Sequence, residues 1–432
     1  MMRALYSLLW WLALPFVLIH LWRRGRAEPG YRQHIAERFG IYTQATRQTN
    51  AYRANTLWVH AVSAGETRAA EPLIRALLAR YPQHRILLTH MTPIGRMTGA
   101  TLFADLAPRL MQAFIPYDLK HFIRRFLRQF SPEICILIET EVWPNLVAVC
   151  ADMRLPVVLV NARLSEKSLA KAMKIPSLFL PAAQVVTAVV AQSSPDAQRL
   201  KKLGAQQISV SGNMKFDVAP PTLMRQRGEQ LRTYIGMRPV FVCASTRDGE
   251  EELLLDAFVR LQQPQALLIL TPRHPQRFDE VAAMLSARNL HFVRRSSVQL
   301  DDTSVMPAQT QVLLGDSMGE MYMYYAACDL AFIGGSLMPL GGHNLIEACA
   351  MGKPVLVGPH TFNFSEITNQ AILAEAALRA TDAEQVMVLA HNLLIKSSFR
   401  LNMGKNALAF FQQHQGATER TMQVLEQYIQ AH

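Results

Sequence analysis

Residues 63–67 read Ser-Ala-Gly-Glu-Thr and place a carboxylate, Glu66, just after the apolar run LWVHAV (57–62). A strand, a glycine-bearing turn and a helix start usually seat a phosphate, and an acid has the wrong sign for that task. Two roles suit it. An acidic residue in a first helical turn gains about 0.3–1 kcal/mol from the macrodipole. A carboxylate held by backbone donors at a strand end also has the form of a general base toward a sugar hydroxyl. Gly65 beside it suggests a close backbone approach.

The stretch GGSLMPLGGHNLIEA (334–348) carries the most chemistry. Its four glycines surround a strand-to-helix turn and would let backbone N–H groups face a phosphate. Asn344 and Glu347 are three apart, on one face of a first helical turn, where a carboxylate can accept from two vicinal ribose hydroxyls. The plainer alternative is a capped helix with glycines for tight packing. PRHPQRF offers Arg273 after a strand, able to hold a phosphate bidentately or simply to be an exposed loop arginine. GDSMGEM is a glycine-flanked loop whose backbone suits a base edge. GNMKFD presents Lys215 as a cation for a leaving phosphate or as a surface lysine. In ETEVWPN, Glu139 and Glu141 share a face, and Trp143 offers a sugar-stacking wall or a structural anchor. The histidines, among them His60, His90, His274, His343 and His360, show no metal-ligand spacing, so no bound metal is expected.

Each of these groups follows a short β-rich run. LWVHAV, RILLTH, ICILIE, PVVLVNA, VVTAVVAQ and ISVSGN alternate with helical stretches, as do PVFVCAST, ALLILTPRH, HFVRR, QVLLGD, LAFIGGS and PVLVGP. That alternation predicts parallel sheets with crossover helices, whose ligands sit at the carboxyl ends of the strands. Residues 213–240, with Pro220-Pro221, read as a linker between two α/β domains, and a long helical tail runs from about 382 to 432.

The 432 residues suffice for two or three domains. Lys and Arg number 44 against 33 Asp and Glu, which points to nucleic acid, an anionic membrane or a phosphorylated substrate. No zinc-finger spacing, RNP-like motif or long basic block is present, so nucleic acid is not expected as a partner. The five cysteines are scattered and four lie in apolar runs, as reduced thiols of a cytosolic compartment do. The stretch 4–22 contains no Asp, Glu, Lys or Arg over 19 residues and is followed by Arg23, Arg24 and Arg26. It reads as an uncleaved N-terminal anchor with the rest of the chain cytoplasmic, an in-plane helix being the alternative.

HAVSAGE, ETEVWPN, NARLS, GNMKFD, ASTRDGEE, PRHPQRF, GDSMGEM, GGSLMPLGGHNLIEA and GPHTFNF, in this order over residues 58–366, resemble the 3-deoxy-D-manno-octulosonic acid (Kdo) transferases of lipopolysaccharide biosynthesis. The resemblance implies an α/β chain of two Rossmann-like, doubly wound domains facing a cleft (GT-B) with an N-terminal membrane anchor helix. The divisions it suggests are an anchor at 1–25, an acceptor domain at 26–218, a CMP-sugar-binding domain at 219–405 and a helical tail at 406–432. The implied activity is inverting, metal-independent transfer of Kdo from CMP-Kdo to lipid A precursor (lipid IVA) at the cytoplasmic side of the inner membrane. CMP-Kdo is then the donor substrate and no cofactor is needed; the partners are that donor, the lipid precursor and the membrane lipid surface.

Glu66 matches the family's general base, while Lys215 and either Glu139 or Glu141 match positions that stabilise the transition state. The nucleotide would be held by Pro272 and Arg273, by Met318, Gly319, Glu320 and Met321, and by Gly342, Asn344, Leu345, Ile346 and Glu347. Ala64 stands where valine is expected, Arg247 where histidine is frequent and Leu345 where proline is common. Rivals are other nucleotide-sugar transferases or non-hydrolysing epimerases of the same fold, and a membrane-anchored nucleotide-sugar-binding regulator that would need no base at Glu66.

Overall fold

In the computed structural model, which describes residues 2–26, 28–42, 55–261, 266–300 and 305–429, the apolar runs are parallel strands of two seven-stranded sheets. The chain forms two units, Met1–Val218 with Gln415–His432, and Ala219–His414. The first sheet contains β1 (Thr56–His60), β2 (Arg85–His90), β3 (Leu110–Phe114), β4 (Ile134–Ile138), β5 (Val157–Ala162), β6 (Ala188–Ala191) and β7 (Ile208–Val210). Its order is β3-β2-β1-β4-β5-β6-β7. The second contains β8 (Val240–Thr246), β9 (Leu267–Pro272), β10 (Phe292–Arg294), β11 (Val312–Leu314), β12 (Leu330–Ile333), β13 (Val355–Val357) and β14 (Ala377–Arg379). There the order is β10-β11-β9-β8-β12-β13-β14.

Every residue of β1 and of β4 is buried. Side chains alternate between faces, so Trp58, Leu137 and Leu159 enter one core layer while Leu57, Val59, Ile136 and Ile138 enter the other. Helices cover both faces, which is why the strands read as unbroken apolar runs and not as alternating ones. In each sheet the winding reverses once, between β1 and β4 and between β8 and β12. His60 pairs with Leu137 and Ile333 with Ala244, so at each reversal two loops leave the sheet side by side. Such switch points are where doubly wound sheets bind ligands.

The boundary between the two units, Val218 to Ala219, falls within residues 213–240, the stretch read as a linker, and Thr222–Ile235 of that stretch is a helix. It lies close against the Met321–Ala327 helix, and a Cβ at Gly228 would collide with the Cβ of Ala326. The tail does not begin at 406, because the Ser397–Gln413 helix runs through that position within the second unit. The chain turns at Gly416 (φ 89°), and the Ala417–Leu425 helix returns to the first unit, burying Ala417, Met422 and Leu425. Asp217 fixes this return by accepting from the backbone N–H groups of Gly416 (2.7 Å) and Thr418 (2.5 Å).

The N-terminal helix, Met2–Arg24, is long and apolar enough to cross a membrane, and among the described residues it is the one such helix. One side of it is docked on the first unit. Leu14 and Leu21 pack with Tyr31, Tyr117, Leu119 and Phe122, and Trp10 stacks on Tyr117 at 5.6 Å. Near its start, the Asn145 side-chain amide donates to Ser7 Oγ at 3.0 Å. Asp118 accepts from the backbone N–H groups of Asn145 (3.1 Å) and Leu146 (2.8 Å) at the start of the Pro144–Asp152 helix. Burial nonetheless raises the Asp118 carboxyl to about 6. The opposite side of the N-terminal helix exposes Leu8, Leu9, Leu12, Phe16 and Ile19.

Candidate active site

At the first switch point, β1 ends at His60 and the Ala64–Ala69 helix begins four residues later with Ser63 as its N-cap. Glu66 closes a reciprocal cap: its N–H donates to Ser63 Oγ at 3.4 Å, and its carboxylate accepts from the N–H of Val62 at 2.5 Å. The capping role is therefore realised. Burial raises the Glu66 carboxyl to about 7, with further upward pushes from Glu139 and Glu141 that outweigh the backbone donors. That is where a general base for neutral pH is best poised. The fold does not itself demand glycine at position 65, since a Cβ there would meet only Ser63 Oγ at 3.8 Å. Behind the turn, burial holds His60 down to about 3 and His90 to about 4, so both are neutral supports.

Glu139 follows β4 with a left-handed backbone, φ 63°. Its carboxylate accepts from Lys215 Nζ at 2.9 Å, and both side chains are largely buried. Lys215 is held by two asparagines that the sequence reading left without a role. Asn161 Oδ1 accepts from Met214 N–H at 3.1 Å, and Asn213 Oδ1 accepts from Lys215 N–H at 3.0 Å. Asn161 is itself at φ 50°, beside a register shift in the β5–β6 pairing, a conformation asparagine tolerates better than most residues. Glu141 accepts from the indole N–H of Trp143 at 2.8 Å, and burial raises its carboxyl. Three acids and one lysine thus meet where strained backbone and a strand reversal coincide. Trp143, edge-on to His60 at 5.5 Å, positions Glu141 from within.

At the second switch point a fully buried acid, Glu250, joins the two loops. Its carboxylate accepts from the N–H groups of Arg247 (2.9 Å), Gly335 (2.6 Å) and Leu337 (2.8 Å). The glycine amides do not all face a ligand as expected. That of Gly334 donates to Ala244 O (2.8 Å), that of Gly335 to Glu250, and that of Gly342 to Gly335 O (2.6 Å). The helix they precede is only Ile346–Ala350. Positive charge comes instead from side chains. Burial, with Arg273 and Arg247 adding to it, holds the His274 and His343 imidazoles below the usual range, His343 at about 4. An anion placed among these four groups would meet two arginines and two neutral imidazoles.

Asn344 Oδ1 accepts from Ile346 N–H (3.1 Å) and its amide donates to Glu347 Oε1 (3.4 Å), so the two polar residues are brought together. Leu345 and Ile346 have their side chains in the core, at 0% and 1% exposure, which confines them to backbone contacts with a ligand. Pro272 is likewise buried, at the end of β9. Glu320 is committed to Arg295 (3.0 Å) and to the hydroxyl of Ser317, while Met318 is exposed beside Gly319 (φ 82°), where a Cβ would touch nothing within 4 Å. The open backbone of this loop, not the acid, is what it offers. Glu250→Ala should cost the second unit about 3 kcal/mol or more, because two buried N–H groups and a half-buried one lose a charged acceptor. Calorimetry should show the second unit unfolding at a lower temperature.

Residues 33–218 match the family described as 3-deoxy-D-manno-octulosonic-acid transferase (kdotransferase). The chain is 43% identical to a 3-deoxy-D-manno-octulosonic acid transferase of Bordetella pertussis, over 99% of both chains. It is 34% identical to that of Haemophilus influenzae, over 100% of this chain and 99% of the other. Among solved structures, a UDP-GlcNAc 2-epimerase from Neisseria meningitidis superposes with a TM-score of 0.57 at 14% identity, covering 86% of this chain and 100% of its own. That likeness concerns the fold, two doubly wound α/β domains of the GT-B kind.

Proposed function

The chain belongs to the Kdo transferase family of glycosyltransferases in lipopolysaccharide biosynthesis, and on that premise we propose that it transfers Kdo from CMP-Kdo to lipid A precursor (lipid IVA), with inversion and without a metal. The carrying observation is Glu66, a carboxylate poised at about 7 at a strand reversal and flanked by Glu139 and Glu141. The acceptor hydroxyl gives its proton to Glu66 as its oxygen bonds to the anomeric carbon. The bond from that carbon to the CMP phosphate oxygen breaks, and its electron pair leaves with CMP. A single displacement of this kind inverts the anomeric centre.

Arg273, Arg247 and the neighbouring imidazoles are assigned to the donor phosphate, Asn344 and Glu347 to the ribose, and the loop at 318–321 to the base. Lys215 is assigned to the charge of the departing phosphate, an electrostatic contribution that often dominates such steps. Competition binding separates this reading from that of an epimerase. CMP should displace a labelled CMP-sugar where UDP does not, and turnover should survive a chelator.

The membrane role assigned to the N-terminal helix is an in-plane one at the cytoplasmic face of the inner membrane. Docking contacts run from Ser7 to Leu21, about 21 Å of helix. A spanning helix so covered would draw the polar edge of the domain into hydrocarbon, at several kcal/mol per unsatisfied group. The exposed leucines and Phe16 instead suit the acyl boundary. The outer face of the Lys120–Phe130 helix, with Arg124, Arg125 and Arg128, supplies charge for anionic headgroups, and its Phe122 meets Trp11 edge-on at 5.5 Å. Changing Leu9, Leu12 and Phe16 together to Asp should abolish sedimentation with anionic vesicles and leave the unfolding temperature unchanged, because all three are exposed.

A further inference from the structure

Lys215 sits on a thinly supported stretch of chain. β7 (Ile208–Val210) is a short strand at the edge of the sheet, beside β6, and the segment after it closes in a single 3₁₀ turn, Met214–Asp217. A lysine ammonium stands on a flexible four-carbon stem, so its placement is only as definite as the backbone beneath it. On the sheet side that backbone is held by the Ser211 N–H, which donates to Ala191 O at 3.0 Å, and by Asn161 and Asn213.

The other hold comes from the far end of the chain. Arg420, on the Ala417–Leu425 helix, donates from Nε to Ser211 O at 2.7 Å. Asp217 accepts from the N–H groups of Gly416 and Thr418 at the start of the same helix. Lys215 is thus bracketed, with one bond to the helix before it in sequence and two after it. Between these bonds the buried Met214 shares a core layer with Ala417, Met422 and Leu425. The dependence is mutual. Gly416 at the helix N-cap has no side chain to satisfy the first amides, and Asp217 supplies a carboxylate, the charge that such an end favours. The helix does not hang on these bonds alone, since Arg80 pairs with Glu419 at 3.4 Å and with Glu426. Loss of either bracket therefore loosens the backbone under the lysine and leaves the helix docked.

We propose that the Ala417–Leu425 helix positions Lys215 for the transfer step, with Asp217 and Arg420 as the positioning residues. The inference rests on the reading of Lys215 as the cation for the departing phosphate. Both positioning side chains are spent on backbone groups, and their effect reaches the site through the 2.9 Å bond from Lys215 Nζ to Glu139.

The test uses the full chain with Asp217→Ala and Arg420→Ala, each alone and combined with Lys215→Gln, which removes the charge and keeps a donor for Glu139. Arg420 is exposed, so folding is not at risk in its variant. Each single change should lower kcat about ten- to a hundredfold, as misplacement of a catalytic group does, with KM for CMP-Kdo and lipid IVA unchanged. In the Lys215→Gln background the same changes should leave kcat where Lys215→Gln alone puts it, because a residue acting only through the lysine has nothing left to position. Acetylation by acetic anhydride, followed by peptide mass spectrometry, reads the lysine without turnover. Lys215 should react several-fold faster in both single variants than in wild type, while Lys353 of the second unit keeps its rate. Wild-type kcat in both single variants overturns the proposal. Rate losses that carry undiminished into the Lys215→Gln background overturn it too, as does acetylation of Lys215 that neither change moves. If Lys215→Gln itself keeps the wild-type kcat, the reading of Lys215 is what fails, and the acetylation rates then decide the positioning alone.

Discussion

Glu66→Gln is expected to lower kcat by about 10²- to 10⁴-fold, the usual contribution of a positioned general base, with CMP binding unchanged. The residues proposed to hold the nucleotide belong to the other unit, so loss of nucleotide affinity in this variant would contradict the assignment. In the wild-type enzyme the base must be a carboxylate, so kcat/KM should climb as pH rises toward about 7 and level above it. Stability should move the opposite way. The Glu66 carboxyl is raised on folding, so the folded chain binds a proton more tightly than the unfolded chain between about 4.5 and 7. Stability from this group is therefore greatest at the acid end and declines as pH rises through that window, by on the order of 2–3 kcal/mol. The glutamine of Glu66→Gln carries no such charge, so the inactive variant should unfold at a higher temperature than wild type at pH 8 and at a similar one at pH 4.5. Thermal scans at the two pH values read this directly.

Lys215→Ala is the second large effect, because it leaves Glu139 buried without its partner. Breaking such a pair costs about 3 kcal/mol or more. The uncompensated charge beside Glu66 should also drive the acid limb of the pH–rate profile upward, above about 7. Glu139→Gln should shift that limb downward, since Glu139 is one of the two carboxylates that hold Glu66 up. Opposite shifts from the two partners of one ion pair distinguish electrostatic tuning from general disruption, which would lower rates without moving the limb. A limb unmoved by both changes would remove Glu139 from the site.

Much of the fold was legible because parallel strands covered on both faces appear as unbroken apolar runs. TLWVH and ICILI announced β1 and β4 by composition alone. Strand order was not legible, since nothing local to residues 57–60 says that they lie beside 134–137 and not beside 110–113. The coincidence of Glu66 with a switch point therefore emerges only from the sheet. Within residues 213–240 the Pro-Pro pair and the charged residues obscured a helix, Thr222–Ile235, that packs Gly228 against Ala326. Glu250 was hidden among the three consecutive glutamates of a helix start, where its neighbours Glu251 and Glu252 read alike. Only the burial of its carboxylate under three amides separates it. The family resemblance places Leu345 and Ile346 in the nucleotide site, and the core holds their side chains. The N-terminal helix shows the same limit, because hydropathy counts apolar residues without revealing that one side of them has a protein partner.

The most direct test of the central claim is mass spectrometry of the lipid product after incubating the purified full-length chain with CMP-Kdo and lipid IVA in the presence of a chelator. Lipid IVA is expected to gain the mass of one or more Kdo residues, with an equal number of CMP molecules released and no such product from Glu66→Gln. Release of CMP with free Kdo and unchanged lipid, or the same extended lipid from the Glu66→Gln variant, would contradict it.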